Sequence, residues 1–207
     1  MKPVYLITLF WLCFLSCHHK PTPSNKQDTI ISKQEQTKIA KIGVDKVSII
    51  PDTTRKLLSY NTTHLFSDRL EKDNFDITLY GGNITEGVIV FKIYNNKNQQ
   101  LFKDTFPAED LLGDEAELLN IKQQKDTITT RMAKFLNDEN FISPAIGSTE
   151  KFDEDFENPD PIDKINWNAV KADNTSVRFT YSHGYESTYG IAYSKIKRKV
   201  VNIFYGD

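Results

Sequence analysis

Alternation of apolar and polar residues in the middle of the chain restricts its possible folds more than any other feature. Phe75, Ile77 and Leu79 alternate with polar residues at 76 and 78. Since successive side chains of a strand point to opposite faces, this period of two predicts a half-buried strand. Residues 88–94 (VIVFKIY) predict a second strand and 101–106 a third. The Asn-rich segment 95–98 between them suits a hairpin turn, because Asn tolerates left-handed backbone conformations.

Residues 108–142 have a helical pattern instead. Gly113 would stop a first short turn, and Asp126 is the predicted N-cap of the helix that follows. Ile128, Met132 and Phe135 then form one apolar stripe at helical spacing. We therefore predict a short helical insert packed on one face of the sheet.

The rest of the chain predicts further antiparallel strands. Ile165, Trp167 and Ala169 alternate with polar residues, as do apolar residues in 177–183. Residues 191–193 and 200–205 predict a last hairpin around the basic turn 195–199. The expected class is α+β, an antiparallel sheet of hairpins in a meander with the helical insert on one face.

Charge and cysteine content limit the function. Of 207 residues, 26 are Lys or Arg and 28 are Asp or Glu, a net charge of −2 that argues against a nucleic-acid partner. Cys13 and Cys17 are the two cysteines, so residues 38–207 have no thiol for a disulfide or a metal. A chain of this length buries roughly 70% of its unfolded surface and can fold as one domain over 38–207 without such links.

An apolar run of twelve residues, 4–15, follows the positive start Met1-Lys2. A helix needs about 20 residues to cross the roughly 30 Å hydrocarbon core of a bilayer. The run is therefore too short to span a membrane, and its length is typical of a signal-peptide core. It ends in Phe14-Leu15-Ser16-Cys17, a small residue followed by cysteine.

This ending resembles the lipobox of bacterial lipoproteins, although Phe14 stands where that family usually has leucine. The resemblance implies a signal peptide at 1–16 and acylation of Cys17, for example with palmitate, as a membrane anchor. His18 follows in place of the aspartate that retains such proteins in the inner membrane, which implies the outer membrane of a Gram-negative cell. An ordinary secretory signal or an uncleaved anchor are the alternatives.

Residues 18–37 are polar and contain two prolines, and they predict a flexible tether. About 20 residues of this kind have an r.m.s. reach near 25 Å. The expected organisation is a signal peptide, a lipidated and tethered segment at 17–37, and one globular domain at 38–207, held in the cell envelope facing the periplasm or the exterior.

Aromatic residues near the end of the sequence are the first candidate site. Tyrosines on an exposed strand face can stack on sugar rings or anchor a protein partner, because each supplies contact area and one hydroxyl. The alternative is that alternate aromatics pack the core. The candidate partner-binding residues are Tyr181, His183, Tyr185, Tyr189 and Tyr193.

The acidic loop at 143–163 is a weaker candidate, for calcium. Asp153, Asp155 and Glu157 have the spacing of the first three ligands of a calcium loop. Asn158 stands where the motif needs glycine and Lys164 where it needs glutamate, so a solvated loop is favoured. We predict no metal and no cofactor.

Catalytic motifs for nucleophilic serine, zinc-peptidase and phosphate-loop chemistry are missing from the sequence. The leading hypothesis is therefore a non-catalytic envelope lipoprotein that binds a protein or glycan. One alternative is a carboxylate-dependent envelope hydrolase, which needs two carboxyl groups about 5–10 Å apart in a cleft. The other is an inhibitor or immunity-type lipoprotein, which predicts a protruding loop near 144–164.

Overall fold

The computed structural model describes residues 55–152, 162–185 and 187–206, all within one compact unit, Ser48–Asp207. The predicted signal peptide, Cys17 and the tether lie outside the described residues, as do the calcium candidates Asp153, Asp155 and Glu157. Within the described ranges, no helix combines the length and apolar character that crossing a bilayer requires.

The first four strands form one antiparallel sheet in chain order: β1 (Lys56–Leu65), β2 (Lys72–Tyr80), β3 (Val88–Tyr94) and β4 (Gln100–Pro107). The strands predicted from residue 75 to 106 are confirmed, and β1 precedes them. Ile77 faces Phe91 across the β2–β3 pair, so the apolar positions of both strands share one face. That face is fully buried.

The second antiparallel sheet contains β5 (Phe141–Ile142), β6 (Arg178–Ser182), β7 (Thr188–Ser194) and β8 (Lys199–Gly206). The α+β class, with its hairpins and short helical insert, is confirmed, and the strands divide between two sheets. β5 pairs with β6 only through Phe141↔Phe179 and Ile142↔Arg178. Residues 180–182 of β6 therefore extend past the end of β5.

The helical insert begins with two 3-10 turns, Ala108–Leu111 and Gly113–Leu118, and continues as α1 (Ile121–Lys134). The prediction of Asp126 as its N-cap was wrong. Asn120 caps α1 by accepting hydrogen bonds from the N–H groups of Lys122 and Gln123, while the Gln123 side chain accepts from the Asn120 N–H. This reciprocal capping satisfies several otherwise unpaired backbone donors and fixes where the helix starts.

The strand predicted from Ile165, Trp167 and Ala169 is wrong, because these residues lie in helix α2 (Lys164–Ala172). Asp163 caps it by accepting from the Ile165 N–H at 2.8 Å. Trp167 and Val170, three residues apart, are buried against one face of the second sheet, whereas Ile165 is exposed. Three alternating positions fit a strand, but the burial follows the helical period.

A single aromatic core joins the two sheets. Phe75 and Phe91 of the first sheet and Phe179 of the second have no exposed surface. The Phe179 ring centroid lies 5.4 Å from that of Phe75 and 5.3 Å from that of Phe91. Phe135, which follows α1, also contacts Phe91, at 5.3 Å. Because α2 covers the opposite face, the second sheet is buried on both sides.

Candidate functional site

A cavity of about 680 Å³ opens where β6 extends beyond β5. The exposed edge of β6 and the loop after it form one wall, and the end of α1 with the 3-10 turn at 138–140 forms another. Its polar lining includes Arg131, Lys134, Glu139, Thr180, Ser182 and Thr188. The volume lies within the roughly 300–1,000 Å³ of ligand pockets.

His183, directly after β6, forms part of the cavity wall between two carboxylates. Its Nε2 lies 3.2 Å from Oδ2 of Asp104 in β4, and its Nδ1 lies 3.5 Å from Oδ2 of Asp110 in the first 3-10 turn. The Tyr181 hydroxyl donates to the same Asp104 oxygen at 3.0 Å. The three side chains come from separate parts of the chain, so this bridge links the helical insert and both sheets.

The two carboxylates keep His183 protonated. Burial alone would lower its pKa, but hydrogen bonds to Asp104 and Asp110 and their negative charges outweigh burial and raise the pKa to about 9. Burial would raise the pKa of Asp104, yet the hydrogen bond and charge of His183 lower it below its usual range. At neutral pH the bridge therefore holds one cation between two anions.

Aromatic rings fix the plane of the His183 imidazole. Phe106 stacks on it with 4.2 Å between centroids and 3° between planes, and Tyr189 lies at 4.8 Å and 15°. A cation over aromatic faces is attracted by their negative π-surface. The ring is thus held at its edges by carboxylates and on its faces by aromatics.

The His183 bridge is poorly arranged for general base catalysis. A general base needs a free ring nitrogen, and both nitrogens of His183 face carboxylates. A carboxyl acting as general acid near neutral pH needs a raised pKa. Burial raises the pKa of Asp73, but this carboxyl accepts from the Ser67 hydroxyl at 2.9 Å and lies outside the cavity lining.

Arg131 and Lys134 add cations to the α1 side of the cavity. Arg131 is held in place, since it donates to the Leu111 carbonyl at 2.6 Å and to the Glu115 carboxylate at 3.1 Å. The Lys134 ammonium pairs with no carboxylate in the described part of the chain. Glu139, in the 3-10 turn that follows α1, adds a carboxylate, so the lining offers donors and acceptors of both charges.

The structure places the five predicted partner-binding residues in different environments. Tyr181 is 6% exposed and belongs to the core, while Tyr193 is half-buried and packs against it. Tyr189 stacks on His183. Tyr185 is 71% exposed and lies between Gly184 and Ser187, which both line the cavity. His183 and Tyr181 line the cavity itself, and the backbone of Tyr185 passes along its rim.

Sequence reasoning missed Asp104, Asp110 and Arg131. Asp104 is 79 residues from His183, and no local pattern joins them. Among the described residues, no group of three or more His, Cys, Asp and Glu side chains could hold a metal ion. No family model, curated protein or solved structure matches the chain.

Proposed function

We propose that this chain is a lipid-anchored protein of the bacterial cell envelope that binds a glycan segment without chemical turnover. The cavity at the open edge of β6 is the observation that carries the binding role. The small-residue–cysteine pair after the apolar run supports the anchor, and His18 supports the outer membrane as its location.

The polarity of the cavity favours a glycan over an apolar peptide side chain. Sugar hydroxyls both donate and accept hydrogen bonds, and the lining supplies carboxylate, ammonium and hydroxyl groups at close quarters, among them Glu139, Lys134 and Thr188. Tyr185 at the rim presents an exposed ring, which can stack on the apolar face of a sugar. The aromatic side chains in the lining, Phe135 and Tyr181, are almost fully buried.

A rigid frame supports binding without turnover. The Asp104–His183–Asp110 bridge holds the β6 wall and the Arg131 contacts hold the α1 wall before any ligand arrives. Such preorganisation reduces the entropy lost on binding. Both nitrogens of His183 face carboxylates, so the imidazole is not a free base. Among the described residues, the lining holds two carboxylates, Asp110 and Glu139, and Asp110 already contacts His183. The hydrolase alternative would therefore have to use a carboxylate that the histidine engages.

Calorimetry with envelope glycan fragments tests the binding role. We expect detergent-solubilised full chain to bind peptidoglycan or outer-membrane oligosaccharide fragments, and Tyr185→Ala to weaken binding about tenfold, equivalent to about 1.4 kcal/mol. Tyr185→Phe keeps the ring and should bind like wild type. Ile121→Ser, at an equally exposed position outside the lining, is the matched control.

Affinity that is the same in wild type and Tyr185→Ala would contradict stacking at the rim. Absence of heat with every fragment, together with retained folding, would contradict the glycan role altogether.

Metabolic labelling tests the anchor. We expect radiolabelled palmitate to enter the wild-type protein and not Cys17→Ser, because acyl chains attach through the sulfur of that residue. Two or more acyl chains give stable membrane attachment. A Cys13→Ser variant, which keeps Cys17, is the control, and equal labelling of Cys17→Ser would contradict the lipid anchor.

A further inference from the structure

Three largely exposed aliphatic side chains lie at turns and at a helix end. Leu70, between β1 and β2, is 90% exposed; Ile165, in the first turn of α2, is 71% exposed; and Ile196, between β7 and β8, is 66% exposed. A single exposed apolar residue is common on protein surfaces, but a group of them often marks a surface that binds a protein or a membrane.

Ion pairs show that these three segments are neighbours. Asp173, after α2, pairs with Arg69 at 3.1 Å and also with Lys195. Asp163, the cap of α2, pairs with Lys197 at 2.6 Å. Exposed pairs of this kind add little stability. Their value here is that they bring together the segments that carry Leu70, Ile165 and Ile196.

Taken together, these neighbouring segments are basic, in contrast to the whole chain. We call residues 68–72, 163–165, 173 and 195–199 the basic tip. Its segments contain seven Lys or Arg and four Asp or Glu, whereas the net charge of the chain is −2. Arg198 and Lys199 have no carboxylate partner among the described residues, so their charges are available to an outside anion.

We propose that the basic tip docks on the anionic phospholipid surface of the membrane that carries the anchor, with Leu70, Ile165 and Ile196 entering the headgroup region. Clustered cations attract anionic headgroups, and aliphatic side chains partition into the boundary with the acyl chains. Basic charge around exposed aliphatics therefore fits an anionic lipid surface better than a neutral or acidic protein face.

This inference rests on the proposed lipid anchor. A tether with an r.m.s. reach near 25 Å would keep the tip at a high effective concentration above the lipid, so a contact that is weak by itself becomes populated. Docking would also fix which side of the domain faces the membrane.

Methyl NMR of the full, acylated chain in lipid nanodiscs tests the proposal. Methyl groups of Ile and Leu are labelled, and the discs contain phosphatidylglycerol and a lipid with a nitroxide headgroup. We expect a several-fold loss of signal intensity for Leu70, Ile165 and Ile196. Ile121 is also 66% exposed but lies outside the basic tip, and it should keep its intensity.

Two variants and a second lipid sharpen the test. The variants Lys199→Glu and Ile196→Asp should each restore most of the signal intensity of Ile165, because docking needs both the positive charge and the apolar contact. Discs made of phosphatidylcholine alone should restore it as well, because they carry no net negative charge. If the chain remains bound to the discs, an equal loss of signal intensity for Ile165 and Ile121 would overturn the docking proposal. So would no loss of intensity for either residue. A chain that separates from the discs would instead contradict the anchor, and docking with it.

Discussion

The proton on His183 holds together parts of the chain that are far apart in sequence. Asp104 lies in β4, Asp110 in a 3-10 turn and His183 at the end of β6, and their contacts fix one wall of the cavity. Each carboxylate would be costly to bury alone, since an unpaired buried charge loses its hydration. The imidazolium offsets both charges. Without this cation, the two carboxylates would repel each other.

Replacement of His183 by Gln should therefore lower the free energy of unfolding by about 3 kcal/mol near neutral pH. The pKa of His183 leads to a similar loss of unfolding free energy. A rise in this pKa from 6.5 to about 9 on folding corresponds to roughly 3 kcal/mol. A folded pKa above the unfolded one gives stability that is complete below pH 6.5 and lost as pH rises through about 9.

Urea unfolding of wild type and His183→Gln at a series of pH values measures this difference. The difference in unfolding free energy between the two proteins should vanish at alkaline pH, where His183 loses its proton. It should also decrease in acid, because Asp104, whose pKa is lowered, then gains a proton. His64→Gln is the control, because His64 stacks on Phe141 at 4.1 Å without a carboxylate partner among the described residues. A gap that does not change with pH would contradict the ionic bridge.

Short elements show how far the sequence determines secondary structure here. Strand β2 was predictable because Phe75, Ile77 and Leu79 alternate with polar residues and face one core. Strand β3 was predictable because its run of β-branched and aromatic residues favours a strand. Helix α2 was not, because Ile165 is exposed while Trp167 and Val170 are buried, which hides the helical period. The capping box at Asn120 and Gln123 was a readable signal that the prediction passed over in favour of Asp126.

The Asn120 capping box should contribute measurably to the stability of α1. Asn120→Ala removes acceptors for two backbone N–H groups and should lower the free energy of unfolding by about 1 kcal/mol. Lys122→Ala, an exposed substitution in the same turn, is the control and should change stability by less than about 0.5 kcal/mol. Equal effects in urea unfolding would show that the cap does not stabilise α1.

At the scale of the whole molecule, two sheets share one core, and this arrangement could not be read from the sequence. Alternation predicts which face of each strand is buried, but the partner of that face depends on tertiary packing. Phe179 was an expected strand residue, yet its contacts with Phe75 and Phe91 span about one hundred residues of chain. The cavity depends on the same packing, so only its aromatic residues could be named in advance.

Phe179→Ala should therefore destabilise both sheets at once. Removal of a fully buried phenylalanine typically costs about 3–5 kcal/mol. We expect hydrogen-exchange protection to fall by similar amounts in β2 and β7, because each sheet buries its inner face on the same ring. Leu118→Ala, at a residue 83% exposed, is the control. Loss of protection in β7 alone would mean that the sheets unfold independently.

The bridge at His183 also connects occupancy of the cavity with resistance to alkali. His183 lines the cavity, and the stability that its proton provides is lost as pH rises through about 9. A ligand that binds only the folded chain adds stability at every pH. An occupied molecule would therefore keep its fold to a higher pH than an empty one.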